Sequence, residues 1–333
     1  MKIFKNDLRN DIYIPNDLKD TLGDTNFCFL DIETTGLSSR YNHIILIGML
    51  CVENHNVYIT QLFAESTSEE KELLVSLTEL LNNFEHIITY NGSTFDIPFI
   101  KNRLTYHNID SNISMINHLD ILKLVRKNKT MLGLSDCKLK TVEKSLGIFR
   151  KDTISGKESV ELYKVYTTSK NPSIRKTILN HNYDDIFYLP KLLTIYDIID
   201  AKNNLELELS FKEVIVDLSI RKDSFIFKDR LLYIEGKTKL VNLPPQLYYE
   251  DFFTLDWNVP NGAFNLNIQY KTGRLSTGEE CLYIDLSDTN ISLKNINNMK
   301  YNIPSNIFLI RINGEIIYDN ISYLVREIVF SLG

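Results

Sequence analysis

The 333-residue chain has no run approaching the roughly 18 consecutive apolar residues of a membrane-spanning helix, which argues against an integral membrane protein. Its opening, MKIFKNDLRNDIYIP, is charged throughout and lacks an apolar signal core, so export by that route is not expected. Only four cysteines occur (Cys28, Cys51, Cys137, Cys281), and none forms a CxxC pair. That spacing argues against a zinc site or a disulfide framework and fits a reducing compartment, so a cytoplasmic location is expected. No internal repeat and no low-complexity tract is found. Positive charge is outweighed: 37 Lys and Arg against 43 Asp and Glu give a net of −6. A protein that is basic all over is thereby excluded, but a local basic patch is not. What remains is 44% hydrophobic and 24% charged, an ordinary globular composition, and the length suggests two domains.

The pattern along the chain changes once. Residues 1–25 are polar, are broken by Pro15 and Gly23, and read as an N-terminal extension that packs on the domain or frays. From 26 to 200, strand-like and helix-like segments alternate. NFCFLDIE, HIILIGMLCV, NVYITQLFA, HIITY and ISMINHLDIL predict strands, the second and third as a hairpin. STSEEKELLVSLTELLNNF and FDIPFIKNRLTYH predict helices, and a long helix is expected around 174–192, bent at Pro190 on its back. This is an α/β pattern with a mixed sheet. Residues 201–333 are richer in strand-like segments, among them EVIVDLSI, SFIFKDRLLYIEG, AFNLNIQY, ECLYIDL and NIFLIRI, with KDR and NG at hairpin turns and a closing helix in DNISYLVREIVFSLG. They predict a second, β-rich domain of unassigned role. The aromatic stretch LYYEDFFTLDW (247–257) reads as a core strand pair rather than a base-stacking platform.

Three places carry chemistry. Phe27–Leu30 is apolar on both faces, as for a central strand, and Asp31 and Glu33 follow it. Residues two apart on a strand share a face, so the two carboxylates project together. Buried side by side they remain ionised only if a cation neutralises them; alone, such a pair also fits a strand end fraying into solvent. In YNGSTFDIPFI a strand ends at Tyr90, Asn91-Gly92 turns the chain, and Ser93 or Thr94 can cap a helix. Asp96 then lies in its first turn, where a carboxylate is favoured by the helix dipole with or without a catalytic role. At about 100° per residue, Ile174, Ile178, His181, Asp185, Tyr188 and Leu192 fall within roughly 40° of one line. His181 and Asp185 thus interrupt a face that must meet the sheet. They are either a self-satisfied pair or a metal-binding Asp with a proton acceptor beside it.

Together FLDIETTGL, YNGSTFDIPFI and HNYDD resemble, in this order, the three exonuclease motifs of the DEDD (DnaQ-like) superfamily, and most closely the YprB-like group with a ribonuclease H-like fold. The resemblance covers about residues 26–195. It implies a ribonuclease H-like mixed sheet flanked by helices and a 3′–5′ exonuclease. It also implies Asp31, Glu33, Asp96 and Asp185 as four acidic metal ligands and His181 as the general base. His181 sits four residues before Asp185, the spacing of Tyr-type members; the position five before is Asn180.

Four carboxylates without a thiolate suit hard divalent ions, Mg²⁺ or Mn²⁺, two of which can clamp a scissile phosphate. Imidazole titrates near neutrality, as a proton acceptor for water should. Thr34, Thr35 and Gly36, which follow the acidic pair, and Asn91 and Phe95, which flank Asp96, are candidate contacts to the last nucleotide; Asn91 also fits plain turn formation with Gly92. The expected partner is single-stranded nucleic acid with a 3′ end. The rival readings are a ribonuclease H-like endonuclease, a non-catalytic nucleic-acid-binding protein on a nuclease fold, and a phosphohydrolase of small nucleotides.

Between Ile121 and Lys157 stand ten Lys or Arg, including Lys138 and Lys140, against Asp136, Glu143 and Asp152, a local net of +7. This run fits a nucleic-acid track or a solvated helical face. A track requires affinity for a labelled oligonucleotide to fall steadily with rising KCl; salt-independent binding selects the solvated face.

Overall fold

The computed structural model describes residues 1–9, 11–54, 56–150, 154–291, 293 and 303–333, in two compact units, Met1–Ile199 and Asp200–Gly333. Lys151 and Asp152 of the basic run lie outside the described residues. No described helix is long and apolar enough to cross a membrane.

The first unit opens with β1 (Lys2–Leu8), α1 (Asn16–Leu22), β2 (Phe27–Thr34), β3 (Ile44–Glu53), β4 (Asn56–Phe63), α2 (Glu70–Leu81), β5 (His86–Thr89) and α3 (Asp96–Tyr106). It continues with β6 (Asn117–Asp120), α4 (Ile121–Lys127), α5 (Lys129–Leu132), α6 (Leu139–Ser145), α7 (Gly156–Ser169), α8 (Pro172–Tyr188) and α9 (Thr194–Asn203). Six strands form one mixed sheet in the order β1-β4-β3-β2-β5-β6, with β5 and β6 parallel to β2. This is the α/β, ribonuclease H-like architecture, with helices on both faces.

β2 lies inside the sheet and alternates between two cores. Cys28, Leu30 and Ile32 join the core with Leu73, Leu77 and Ile100 of α2 and α3, while Phe27 and Phe29 join the core with Ile186 of α8. By the two-residue period, Asp31 and Glu33 continue the Phe27–Phe29 face and point toward α8. α8 begins where sequence chemistry favours a start: Asn171 Oδ1 accepts from Ser173 N (2.9 Å) and Pro172 fills the first position. α7 opens with a capping box between Ser155 and Glu158.

Several elements differ from expectation. β1 pairs antiparallel with β4 over Lys2–Leu8, an edge strand that the polar N-terminal sequence does not predict. The long helix does not bend at Pro190. α8 ends at Tyr188 and passes into a 3₁₀ turn, Leu189–Leu193, because proline leaves a carbonyl one turn back without a donor; Pro190 is buried, not on the back. Ser93 and Thr94 do not cap α3. The Thr94 hydroxyl donates to Asn91 Oδ1 (2.7 Å), and the buried Ser93 hydroxyl has no partner.

The second unit is antiparallel. β7 (Asn204–Phe211), β8 (Val214–Arg221), β9 (Ile226–Lys228), β10 (Leu231–Thr238), β11 (Gln246–Tyr249), β12 (Phe253–Asn258) and β13 (Ala263–Gln269) make one sheet. β14 (Lys271–Arg274), β15 (Glu280–Asp285), β16 (Ile307–Ile312) and β17 (Glu315–Ile316) make another, and α10 (Tyr318–Ser331) closes the unit with Ile321, Leu324, Val325 and Ile328 buried. The Asp229-Arg230 and Asn313-Gly314 turns both have positive φ, the geometry that matches hairpin twist.

A buried polar cluster shapes the segment after β2. Glu70, at the start of α2, accepts from Ile44 N (2.8 Å) and Arg103 Nε (2.9 Å), and lies 2.9 Å from both His43 Nδ1 and His107 Nε2. Burial opposes the charge of Glu70, but these donors outweigh it and hold the carboxyl at about 2, below its ordinary 4.5. Arg103 also donates to the Ser39 carbonyl (3.2 Å), tying residues 35–43 to α3. Because the folded chain keeps this proton off where the unfolded chain takes it up, the stabilisation is present above about 4.5 and is lost as pH falls toward about 2. Glu70→Gln leaves the buried Arg103 guanidinium without its carboxylate partner. It is expected to lose roughly 3–5 kcal/mol at neutral pH and to show a flatter decline on acidification, as read by urea denaturation at stepped pH.

Candidate metal centre

β2 brings Asp31 and Glu33 to the α8 face, and α8 answers with His181 and Asp185 one turn apart. His181 Nε2 lies 3.5 Å from Glu33 Oε1 and 3.7 Å from Asp185 Oδ2. Glu33, His181 and Asp185 each offer a ligand atom within 4.8 Å of the others, the one group among the described residues able to hold a metal ion in this way. Asp96 arrives from a different direction. β5 pairs with β2 only as far as Phe29, so the next strand amides on that side need another acceptor. Asp96 Oδ1 accepts from Ile32 N (3.1 Å), placing its carboxylate at the strand end.

The acids feel one another. Burial first, then Asp185, Asp96 and Glu33, push the Asp31 carboxyl well above the usual range. Burial raises Glu33 to about 7, with Asp185 and Asp96 adding to it and His181 opposing. Burial raises Asp96 to about 7, reinforced by Asp120 and Asp185 against the donor at Ile32. Among the described residues, one side-chain cation pairs with these acids. Arg150, whose side chain is 4% exposed, pairs through one nitrogen with Asp185 and through the other with Glu143. This residue of the basic run is therefore not a free surface charge.

The remaining expected site residues are placed as follows. Thr34 Oγ1 donates to the Gly36 carbonyl (2.8 Å), and Thr35 exchanges hydrogen bonds with His43 through its amide and hydroxyl (both 2.9 Å), so this turn is stapled shut beside the acids. Asn91 has φ 72°, and its side chain is engaged by Thr94, which is its turn-forming role. Phe95 packs beside Phe99 (centroids 5.5 Å apart) and against the core. Lys138 and Lys140 are exposed at the start of α6, which carries none of Asp31, Glu33, Asp96 and Asp185 but does carry Glu143, the second partner of Arg150; Lys140 Nζ donates to the Ile154 carbonyl (3.2 Å).

Four residues escape the sequence reading. Asp120 accepts from Asn91 N (2.8 Å), Ser93 N (3.0 Å) and Leu122 N (3.1 Å), holding the turn before Asp96. Its signal is an acid directly before the apolar helix α4, a helix-cap position. Asn182 donates to Asp31 Oδ2 (2.9 Å) and accepts from Gln61 (2.9 Å) above Gly48. An isolated Gly inside the apolar run of β3 is the available sign.

Against known proteins, a family pattern described as the RNase H superfamily matches residues 28–196. The chain belongs to the RNase H superfamily. The chain is 32% identical over 174 residues to YprB of Bacillus subtilis, an uncharacterised protein, covering 50% of this chain and 41% of that one. It is 23% identical over 234 residues to a DNA polymerase of Choristoneura biennis entomopoxvirus, covering 66% of this chain and 22% of that one. The chain thus spans less than half the length of either curated relative. Among solved structures it is similar to a family B DNA polymerase of Pyrobaculum calidifontis (TM-score 0.41, 13% identity, 53% of this chain and 25% of that chain). It is also similar to Escherichia coli exonuclease I with a dT13 oligonucleotide (TM-score 0.35, 14% identity, 64% and 55%). At these scores the likeness carries no argument about the site. The superfamily's nuclease fold here holds, among the described residues, a single candidate metal-chelating cluster.

The carboxyl groups set a pH signature. Between their ordinary values of 4.5 and 3.8 and about 7, the unfolded chain has already released protons that Glu33 and Asp96 still hold in the metal-free fold. Stability without metal therefore falls as pH rises through that window. Thermal melts in chelator should show a lower Tm at about pH 7.5 than at about pH 5.5, with Mn²⁺ raising Tm more at the higher pH and Asp96→Asn flattening the trend.

Proposed function

We propose that the chain is a metal-dependent 3′–5′ exonuclease of the DEDD (DnaQ-like) type, acting on single-stranded DNA or RNA. The reading rests on the convergence of Glu33, His181 and Asp185 within 4.8 Å, with Asp31 and Asp96 in electrostatic contact with the same group. The donor set fits hard divalent ions. It is rich in carboxylate oxygen, has no thiolate, and carries more negative charge than Arg150 alone neutralises. The buried Ser159 hydroxyl lies beside Glu33 and favours its charged form.

Asp31, Glu33, Asp96 and Asp185 would hold two Mg²⁺ or Mn²⁺ ions. When bound, such ions activate the attacking water and stabilise charge developing on the phosphate and the leaving 3′-oxygen. His181 Nε2, facing the carboxylates of Glu33 and Asp185, accepts the water's proton, and those two carboxylates stabilise the imidazolium that results. Thr34, Thr35 and Gly36 form a rigid wall for the terminal nucleotide, with Asn91 and Phe95 at the Asp96 side. Lys138 and Lys140 attract the phosphate backbone leading away from the site.

The test is digestion of DNA, RNA and hybrid substrates labelled at the 5′ end, with circular single strands alongside. Mg²⁺ or Mn²⁺ should yield a ladder shortening from the 3′ end, abolished by chelator and by Asp31→Asn, and slowed roughly 10²- to 10⁴-fold by His181→Ala. Cleavage of circles selects the endonuclease reading, and full activity of Asp31→Asn removes metal-dependent hydrolysis at this site altogether.

A further inference from the structure

Asp31, Gly48 and Gln61 stand directly opposite one another on β2, β3 and β4, so their side-chain positions form one row across the sheet, on the face that meets α8. The middle position has no side chain. Asn182 of α8, fully buried, fills the gap: a Cβ on Gly48 would lie 2.3 Å from Asn182 Oδ1. Asn182 thereby reaches both ends of the row. Gln61 Nε2 donates to the Leu179 carbonyl and to Asn182 Oδ1, both at 2.9 Å, and Asn182 Nδ2 donates to Asp31 Oδ2 at 2.9 Å.

The direction of this chain of hydrogen bonds is fixed at its Leu179 end. The Leu179 carbonyl can only accept, so the Gln61 nitrogen faces it; the same nitrogen donates to Asn182 Oδ1, which leaves the Asn182 nitrogen facing Asp31. One Asp31 oxygen is thereby held by a donor, and the other remains for a cation. The neighbouring acids would otherwise drive this carboxylate apart from them, since Asp185, Asp96 and Glu33 all repel it. A helix face buried against apolar strands would pack equally well with an aliphatic residue at 182, so the amide is there for its polarity rather than its volume.

The geometry points to Asn182, set by Gln61 through the gap at Gly48, as the positioning residue that fixes the Asp31 carboxylate for a divalent cation. This deepens, and rests on, the metal-dependent reading of the site. Outer groups that orient a metal ligand typically change affinity or activity roughly 10- to 100-fold when removed.

Mn²⁺ binding to the full chain, measured by calorimetry at neutral and alkaline pH, tests it through Asn182→Leu, Gln61→Met and Gln61→Glu, with metal-free melting to establish that each variant is folded. Asn182→Leu and Gln61→Met should each weaken Mn²⁺ binding by about tenfold or more. Their digestion should be restored toward the wild-type rate at high Mn²⁺, a recovery that a purely structural defect does not give. Gln61→Glu is the sharper variant. In its ionised form, reached by measuring at alkaline pH, the introduced carboxylate only accepts, so it turns the Asn182 amide around and aims the Asn182 oxygen at Asp31; Mn²⁺ should bind more weakly although a negative charge has been added nearby. Tighter binding by Gln61→Glu shows a general field effect and overturns the relay. Unchanged binding in Gln61→Met, in a chain whose wild type binds Mn²⁺, overturns the relay and leaves the proposed function standing. A wild type that binds no Mn²⁺ overturns both. If Asn182→Leu does not fold, the two Gln61 variants carry the test.

Discussion

The first unit is organised around repulsion among carboxylates that its fold forces together. β2 projects Asp31 and Glu33 to one face, α3 sets Asp96 at the strand end, and α8 lays Asp185 across them. Burial raises the proton affinity of Asp31, Glu33 and Asp96, and the charge of Asp185 adds to all three. Arg150 answers only part of that charge, through Asp185. The compact sheet and its helices supply the apolar burial needed to hold such an arrangement against its own electrostatics.

The same unit treats another buried acid in the opposite way. Glu70 is as buried as any residue of the chain, yet it stays ionised far below neutrality because guanidinium, imidazoles and a backbone amide converge on it. The contrast lies in donors, not depth. Glu70 is a finished structural joint that steadies residues 35–43, whereas the cluster at Asp31 has acceptors in excess of donors among the described residues. That difference separates a carboxylate held charged by its partners from carboxylates that raise one another's proton affinity.

Much of this was legible because the decisive spacings are local. The two-residue period of a strand suffices to pair Asp31 with Glu33, a strand–turn–helix pattern to locate Asp96, and one helical turn to join His181 to Asp185. What was illegible depends on distant chain. Asn182 sits about 100° around the helix from His181, off the apolar line, and only the gap over Gly48 gives it a partner. Arg150 looks like every other member of a basic run until Glu143 and Asp185 enclose it. Asn91 and Ser93 give their amides to Asp120 on another strand, so the turn is held from outside rather than by the hydroxyl caps that its sequence suggests. β1 has too few apolar residues to show a strand pattern, since an edge strand needs only one covered side.

That edge strand shapes how the unit can be handled. β1 pairs with β4 along its whole length, from Lys2 opposite Phe63 to Leu8 opposite Val57. A truncation beginning at the motif-bearing residues would strip this cover and leave β4, apolar and almost wholly buried, as an open rim with a free row of amides and carbonyls. Such a rim recruits strands from other molecules, so a shortened protein would be prone to self-association before its chemistry could be assayed.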